Sequence, residues 1–478
     1  GSYTDDLNFA NQIYMYILRS PFAHAKIKDI NFSEALKVKG VLEVIDYQTI
    51  KKLNINAMLP GFTLKNRDGH DMVVTSRNIL ANKTVRYVGQ PIIAILANSL
   101  EVAEEVADLV SIDYEELNSV TNVKEALKKD SPVVREELGN NVCFDWELGD
   151  IDKTEKELEN SHYKIKIDLI NNRLIPNPME CRNTIGQYDQ STGKFSLYCS
   201  SQGVHSLKRK LAVVLNEDEN NIDVFTGDVG GGFGMKIFNY PEYVLTLAAA
   251  KISKKTVKWN ASRSESFISD IHGRDHSTSA IMGLDRNYKI RALKVKTLAN
   301  MGAYISDFGV FIPTYAGTGM LTGCYKIPSA YANVLGVYTN TNPVDAYRGA
   351  GRPEAAFLIE RLIDKSAKII GISPIEIRKI NLIDSSDMPY TTALGHKYDS
   401  GDFINNMMNC AKRAKFSTFE NRKKISKDKD KLRGIGISTY IEACGGGGPE
   451  SASLHLGKNG NIEVKIGTQS NGQGHATS

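Results

Sequence analysis

The sequence lacks most of the features that would place it at a glance. Its six cysteines, Cys143, Cys181, Cys199, Cys324, Cys410 and Cys444, form no C-x-x-C pair and no ferredoxin spacing, which argues against an iron–sulfur cluster or a structural zinc within this chain. Scattered thiols of this kind suit a reducing compartment. No apolar run reaches membrane-spanning length. The start, Gly1-Ser2-Tyr3-Thr4-Asp5-Asp6, has neither an initiator Met nor a signal-peptide pattern, so the expected location is cytoplasmic. Charge of one sign is missing too. A formal net charge of +4 over 478 residues gives no basic field for nucleic acid, and the Lys-rich stretch 423–431, interleaved with Asp and Ser, is expected to be a solvated loop.

What is present predicts two or three globular units. Residues 1–120 alternate strands and helices. Strands are expected at 13–18, 41–45, 91–96 and 112–114, with Pro21 breaking pairing after the first and Ser99 capping a helix over 101–110. A polar passage, 115–132, leads into a second unit at 133–415. There, strand-like alternation marks 164–170, 194–199 and 289–298, and 205–215 reads as a helix leading to a Gly-rich loop. The clearest helix is 353–370. Pro353 suits its first turn, Phe357, Leu358, Arg361 and Leu362 recur at helical spacing, and Gly371 stops it. Ser373-Pro374-Ile375-Glu376 predicts a capping box on the next helix. After a composition change at 416–432, residues 434–440, 452–456 and 462–466 read as strands of a third unit, 433–478. Fewer than about fifty residues rarely build a core of their own. This unit is therefore expected to be completed by further residues of a longer chain or by a second polypeptide.

Three short motifs carry the chemistry. Gly230-Gly231-Gly232-Phe233-Gly234-Met235-Lys236 removes side chains so that backbone N–H groups can touch an oxyanion or a metal-oxo group. The dinucleotide G-x-G-x-x-G spacing is not matched cleanly, Asp228 stands too close to be a ribose-binding acid, and no Gly-Lys-Ser/Thr ending makes a Walker A loop. A tight turn between sheet and helix is the plain alternative. In Asp345-Ala346-Tyr347-Arg348-Gly349-Ala350-Gly351-Arg352-Pro353-Glu354, two arginines straddle a Gly-Ala-Gly turn that enters a helix. That is an anion site, unless Arg348 and Arg352 merely pair with Asp345 and Glu354. Gly467-Thr468-Gln469-Ser470-Asn471-Gly472-Gln473-Gly474-His475 follows a strand. Gln473 can donate and accept, which suits a pterin edge or a pyrophosphate oxygen; a lone histidine such as His475 is more often structural than catalytic.

In this order the three motifs resemble the molybdenum-binding subunit of the xanthine dehydrogenase, aldehyde oxidase and carbon monoxide dehydrogenase family. Arg19-Ser20-Pro21-Phe22-Ala23-His24-Ala25-Lys26-Ile27, Tyr87-Val88-Gly89-Gln90-Pro91 and Pro178-Met179-Glu180-Cys181-Arg182 match it as well, although the family usually has Pro where Cys181 stands. The resemblance covers essentially the whole chain. It implies an α+β fold: an N-terminal hammerhead-like α/β domain, then the first part of a large molybdopterin-binding α+β domain. It also implies molybdenum held by the dithiolene of a molybdopterin, usually the cytosine dinucleotide form in bacteria, rather than by protein ligands. Gln202 matches the glutamine that hydrogen-bonds the apical oxo ligand, and Gly232, Phe233 and Gly234 stand beside the metal. Arg348 matches the arginine that orients substrate, and Gln473, Gly474 and His475 match cofactor-binding positions. The family hydroxylates an N-heteroaromatic compound, purine or aldehyde, using a metal-activated water and a glutamate base. Electrons leave through iron–sulfur and FAD chains.

Three departures limit the transfer. The family's glutamate base falls beyond Ser478, so this chain by itself is expected to be inactive; some anaerobes split the subunit in two. Ile237 stands where purine-oxidising members carry a substrate-binding Glu, which weakens a xanthine assignment. Gly349 replaces the copper-binding Cys of the carbon monoxide oxidisers, against a copper–molybdenum site. Two other readings stay open: a reductase of aromatic thioesters built on the same subunit, and a non-catalytic cofactor-binding half that needs a second chain.

Overall fold

The computed structural model describes residues 1–443, 450–475 and 477, so Cys444 lies outside the described residues. The largest sheet draws on two distant stretches of chain. Its seven strands run in the order Ile222–Phe225, Lys194–Cys199, Asn183–Asp189, Val257–Asn260, Ile13–Arg19, Pro91–Ala97 and Val41–Ile45. Ile13–Arg19 is the seam. It pairs parallel with Val257–Asn260 and antiparallel with Pro91–Ala97. Every residue of Pro91–Ala97 is buried, because the helix Leu100–Ala107 covers one face and the core around the helix Pro241–Ser253 covers the other. Ser99 starts the first of these helices by accepting the Val102 amide at 3.3 Å. The second lies directly on the strand Asn183–Asp189. Thr246 O stands 2.7 Å from where a Cβ on Gly186 would be, so glycine allows the approach.

A buried ionic network fastens these layers. Arg182 is fully buried and donates to Asp270 at 2.5 Å, Glu242 at 2.8 Å and Ser269 at 3.0 Å, with its guanidinium 3.7 Å from the Tyr240 ring centre. Arg19, on the seam strand, takes the other Glu242 oxygen at 2.8 Å and also Glu265. Burial works to raise the Glu242 carboxyl, but Arg182 and Arg19 outweigh it and hold it at about 2. Breaking one member of such a set costs about 3–5 kcal/mol, because it strands the other charges in the interior.

The second sheet has five strands, in the order Val142–Gly149, Ala330–Tyr338, Ile290–Gly302, His276–Leu284 and Tyr163–Asn171. The helix Arg352–Ile370 covers it with Leu358, Ile359, Leu362 and Ile363, all buried. Phe357 and Arg361, expected on the same face, are exposed instead. A small sheet of Thr84–Val85, Ala25–Asn31 and Ser111–Glu116 completes the N-terminal region.

Three local expectations need correction. Residues 434–440 form no strand. Among the described residues no strand pairs with them; Thr439 N donates to Glu360 at 3.0 Å, and Ile437 and Ile441 pack on the helix cluster. Much of 423–431 is helical, within Phe419–Lys427, since its Lys-rich composition favours helix as readily as loop. Ser373 does cap the helix Pro374–Asn381 by accepting Ile375 N at 3.2 Å, but Glu376 pairs with Lys379 rather than closing a capping box. The expected strands Ala452–Leu456 and Ile462–Ile466 do form, as an antiparallel hairpin. Among the described residues no helix is long and apolar enough to cross a membrane.

Candidate cofactor site

Between the strand Lys194–Cys199 and the helix Val204–Leu215, the chain turns at Gln202. Its Oε1 accepts the amides of Gly234 at 2.9 Å and Lys236 at 3.2 Å, while its own amide donates to Lys236 O at 3.0 Å. Two backbone donors on one oxygen settle the orientation of the carboxamide. Nε2 is left without an acceptor among the described residues. A Cβ on Gly232 would stand 2.3 Å from Gln202 Cδ, so the loop must be bare at this point. Phe233 sits at φ +53°, a conformation that costs a bulky side chain on the order of 1 kcal/mol. It is 39% exposed, and its carbonyl is held by Arg348 N at 2.9 Å. The amides of Gly231, Gly232 and Phe233 donate to no described group.

Beneath the loop lies a pair that the sequence reading did not single out. Glu180 accepts Gly230 N at 2.8 Å, the fully buried Lys236 Nζ at 2.8 Å and Asn183 Nδ2 at 3.1 Å. Burial pushes the Lys236 ammonium down, although Glu180 opposes it. A lysine set among Met235, Ile237 and Phe238 was the available signal: a long charged side chain in an apolar run needs a buried partner.

The arginine motif packs directly on this loop. Ala346 O lies 2.7 Å from where a Cβ on Gly234 would stand. Ile237 and Ala346, both half-buried, pack against the same core cluster. The Arg348 guanidinium lies 5.8 Å from the Phe233 ring centre, and Arg348 is exposed and makes no ion pair with a described residue. The alternative pairings of Arg348 and Arg352 with Asp345 and Glu354 do not occur among the described residues. Asp345 is buried and accepts Phe308 N at 2.9 Å and Ala346 N at 2.7 Å; burial raises its carboxyl to about 7. Glu354 accepts Gly351 N at 3.1 Å and faces Arg274 at 3.5 Å, and Arg352 turns to Glu442 at 3.4 Å.

The third motif closes on the first. Gly472 stands against Gly231 N and Val229 O, and Gln469 Nε2 donates to Ser201 O at 2.5 Å. Gln473 bends back on its own turn, accepting from Asn471 N and donating to Gln469 O. Gln473, Gly474 and His475 are exposed. Gln202, Gly232, Phe233, Gly234 and Arg348 thus meet directly, Ile237 lies one turn beyond, and Gln473, Gly474 and His475 adjoin through Gly472.

Known proteins identify the architecture. Residues 134–382, more than half of the chain, match the model of the molybdopterin cofactor-binding domain. The chain belongs to the aldehyde oxidase and xanthine dehydrogenase family of molybdopterin-binding subunits. Residues 1–118 match the hammerhead domain of that family and residues 409–478 a second molybdopterin cofactor-binding model. Similar proteins include the carbon monoxide dehydrogenase large chain of Hydrogenophaga pseudoflava, 29% identical over all of this chain and 62% of that one. The 6-hydroxypseudooxynicotine dehydrogenase complex subunit gamma of Paenarthrobacter nicotinovorans is 31% identical over all of this chain and 60% of its own length. In fold, quinoline 2-oxidoreductase from Pseudomonas putida 86 superposes with a TM-score of 0.92 at 26% identity, covering 99% of this chain and 61% of that one. The chain spans about three-fifths of the length of these relatives.

The residues present fit a molybdopterin. Gln202 Nε2, the amides of Gly231, Gly232 and Phe233, and the Arg348 guanidinium are all donors. They surround a glycine floor from which side chains are excluded. The nearby acids, Glu180, Asp345 and Glu354, already accept from protein donors. Such a set suits an anionic, oxygen-bearing group.

Proposed function

We propose that this chain is the molybdopterin-holding part of a hydroxylase that acts on an N-heteroaromatic compound, a purine or an aldehyde with oxygen taken from water. The observation that carries this reading is the Gln202 carboxamide. Its oxygen is pinned by the Gly234 and Lys236 amides, so its one remaining hydrogen-bonding end is a donor, set beside the bare Gly231–Phe233 amides. When bound, the molybdenum supplies a two-electron acceptor and activates water. Gln202 and the Phe233 amide hold the cofactor's oxygen-bearing side. Arg348, exposed beside the Phe233 ring and free of carboxylates, orients the substrate and steadies negative charge on it. Gln473, Gly474 and His475 are assigned to the pterin and its cytosine dinucleotide extension.

Ile237 gives the substrate side an apolar contact. This supports N-heteroaromatics and aldehydes over purines, whose polar edges would find no partner there. Two relatives named for a nicotine-derived and a quinoline substrate support the same class. Gly349 stands at φ +94° with Pro353 Cγ 2.3 Å from any Cβ, which leaves no room for a metal-binding side chain and supports a site without copper. Iron–sulfur and FAD chains take the electrons. The glutamate base comes from the remainder of the second molybdopterin-binding domain, in a longer chain or a separate one, and turnover requires it.

The test uses the complex purified from its own cells. Molybdenum content is measured by mass spectrometry and turnover with quinoline, benzaldehyde and xanthine. Gln202→Ala is expected to retain metal and to lose on the order of a hundredfold in turnover, as when one preorganised donor is removed. A complex without molybdenum, or full turnover in the variant, sinks the assignment.

A further inference from the structure

Two consecutive non-glycine residues just before the strand His276–Leu284 hold positive φ: Arg274 at +66° and Asp275 at +71°. Strain of this kind persists only where surrounding contacts over-determine it. Here they do. Asp275 accepts from Arg173 Nε at 2.7 Å and Asn300 Nδ2 at 3.0 Å, its amide donates to Asn171 O at 3.1 Å, and its carbonyl accepts Asn300 N at 3.1 Å. Arg173 is itself fixed by Asn342 O and Thr341 Oγ1, each at 2.7 Å.

The reversal throws the Arg274 side chain under the arginine motif. Its Nη1 donates to Tyr347 O at 2.5 Å and its Nη2 to Arg348 O at 2.8 Å. The guanidinium lies 4.7 Å from the Tyr347 ring centre and its Nε faces Glu354 at 3.5 Å. Glu354 in turn accepts Gly351 N at the far end of the same loop. Gly273 presses on the loop as well, with Tyr347 Cβ 2.4 Å from where its own Cβ would be. One buried guanidinium therefore ties together two successive carbonyls, an aromatic face and the acid that caps the following helix. A planar fork can do this and an ammonium cannot.

We propose that Arg274 is a positioning residue: it fixes the backbone at Tyr347 and Arg348, and so decides where the Arg348 guanidinium stands against the cofactor and substrate. The inference rests on the reading that Arg348 faces that site. Without Arg274 the loop keeps Arg348 N on Phe233 O, Ala350 N on Tyr347 O, Arg352 on Gly349 O and Ala346 N on Asp345. Arg348 O then has no described donor and Tyr347 O keeps one of its two, which favours a rearranged loop.

Amide exchange and electron paramagnetic resonance of the native complex, reduced with dithionite, separate the two claims. In Arg274→Met, exchange at 346–350 is expected to quicken at least about tenfold, while the helix Val204–Leu215 keeps its protection. The molybdenum(V) signal should shift with metal content unchanged. Arg274→Lys keeps the charge and should restore neither. Combined with Arg348→Lys, Arg274→Met should add little to the signal change, because both act through one guanidinium. Wild-type exchange at 346–350 in both Arg274 variants overturns the inference, and so does a fully additive double variant. Quickened exchange in the Arg274 variants, with no molybdenum found in the wild-type complex, leaves Arg274 as the clamp and removes the cofactor reading instead. Should Arg274→Met fail to fold, Arg274→Lys carries the same comparison.

Discussion

Asp345 shows how one residue can serve the site at a cost to the fold. Its carboxylate receives the Phe308 and Ala346 amides in the interior, with no cation paired to it among the described residues. This joins the segment before Ile312–Ala316 to the start of the arginine motif. Burial raises the carboxyl from 3.8 to about 7. The folded state therefore keeps a proton that the unfolded chain gives up, and stability falls as pH climbs from about 4 to 7 before levelling off. Asp345→Asn carries no charge to desolvate, but its single carbonyl oxygen can accept only one of the two amides, which reach different oxygens of Asp345. It is expected to flatten that decline while starting about 1–3 kcal/mol below the wild type at pH 5, because one amide then faces the new NH2. Urea midpoints between pH 5 and 8 provide the check, and parallel curves for the two proteins would refute it.

At the scale of elements, much of the chain could be read directly. Seven buried residues in a row at Pro91–Ala97, Ser99 before Leu100–Ala107, and Gly371 after Arg352–Ile370 each state a local preference that the packing then uses. Reading failed where the deciding partner is remote. Residues 434–440 alternate like a strand but meet Glu360 of a helix; 423–431 has no periodic face to announce a helix. The site was legible as motifs and not as contacts. Arg274 is one charge in Gly273-Arg274-Asp275-His276, and nothing local says that its guanidinium reaches Tyr347 and Arg348. Motif glycines likewise differ in what they do. Gly89 sits at φ +96° with Ile268 O 2.1 Å from any Cβ, so Gly89→Ala must push backbone from backbone and should cost about 2 kcal/mol or more. For Gly232→Ala the atoms nearest the new Cβ all belong to the Gln202 side chain. The substitution should leave the thermal midpoint within about 2 °C while displacing Gln202 and lowering turnover. Equal losses of stability would show that both glycines serve packing alone.

At the scale of the whole molecule, one hairpin exposes a regular apolar face. In the hairpin Ala452–Leu456/Ile462–Ile466, the cross-strand pairs Ala452–Ile466, Leu454–Val464 and Leu456–Ile462 put six apolar side chains on one face, with Ser453, His455, Glu463 and Lys465 on the other. Leu454, Leu456, Ile462, Val464 and Ile466 are 58–69% exposed. A lone two-stranded hairpin is marginal in water, and alternation this regular marks a face meant for burial. The chain spans about three-fifths of the relatives' length and residues 409–478 match a second molybdopterin cofactor-binding domain, so the occupant we expect is further residues of that domain, in cis or in trans. Trypsin offers a direct reading, because Lys458 and Lys465 lie in the hairpin and are exposed. In the native complex a covered face should protect both sites. A Leu454→Lys, Val464→Lys variant should expose them, speeding cleavage at least about tenfold as local opening becomes easy. The transition of the two large sheets should stay within about 0.5 kcal/mol of wild type, since the hairpin adds no side chain to either core. Rapid cleavage of the wild-type complex at Lys458 and Lys465 would mean that the apolar face stays open, and that the second domain is completed elsewhere.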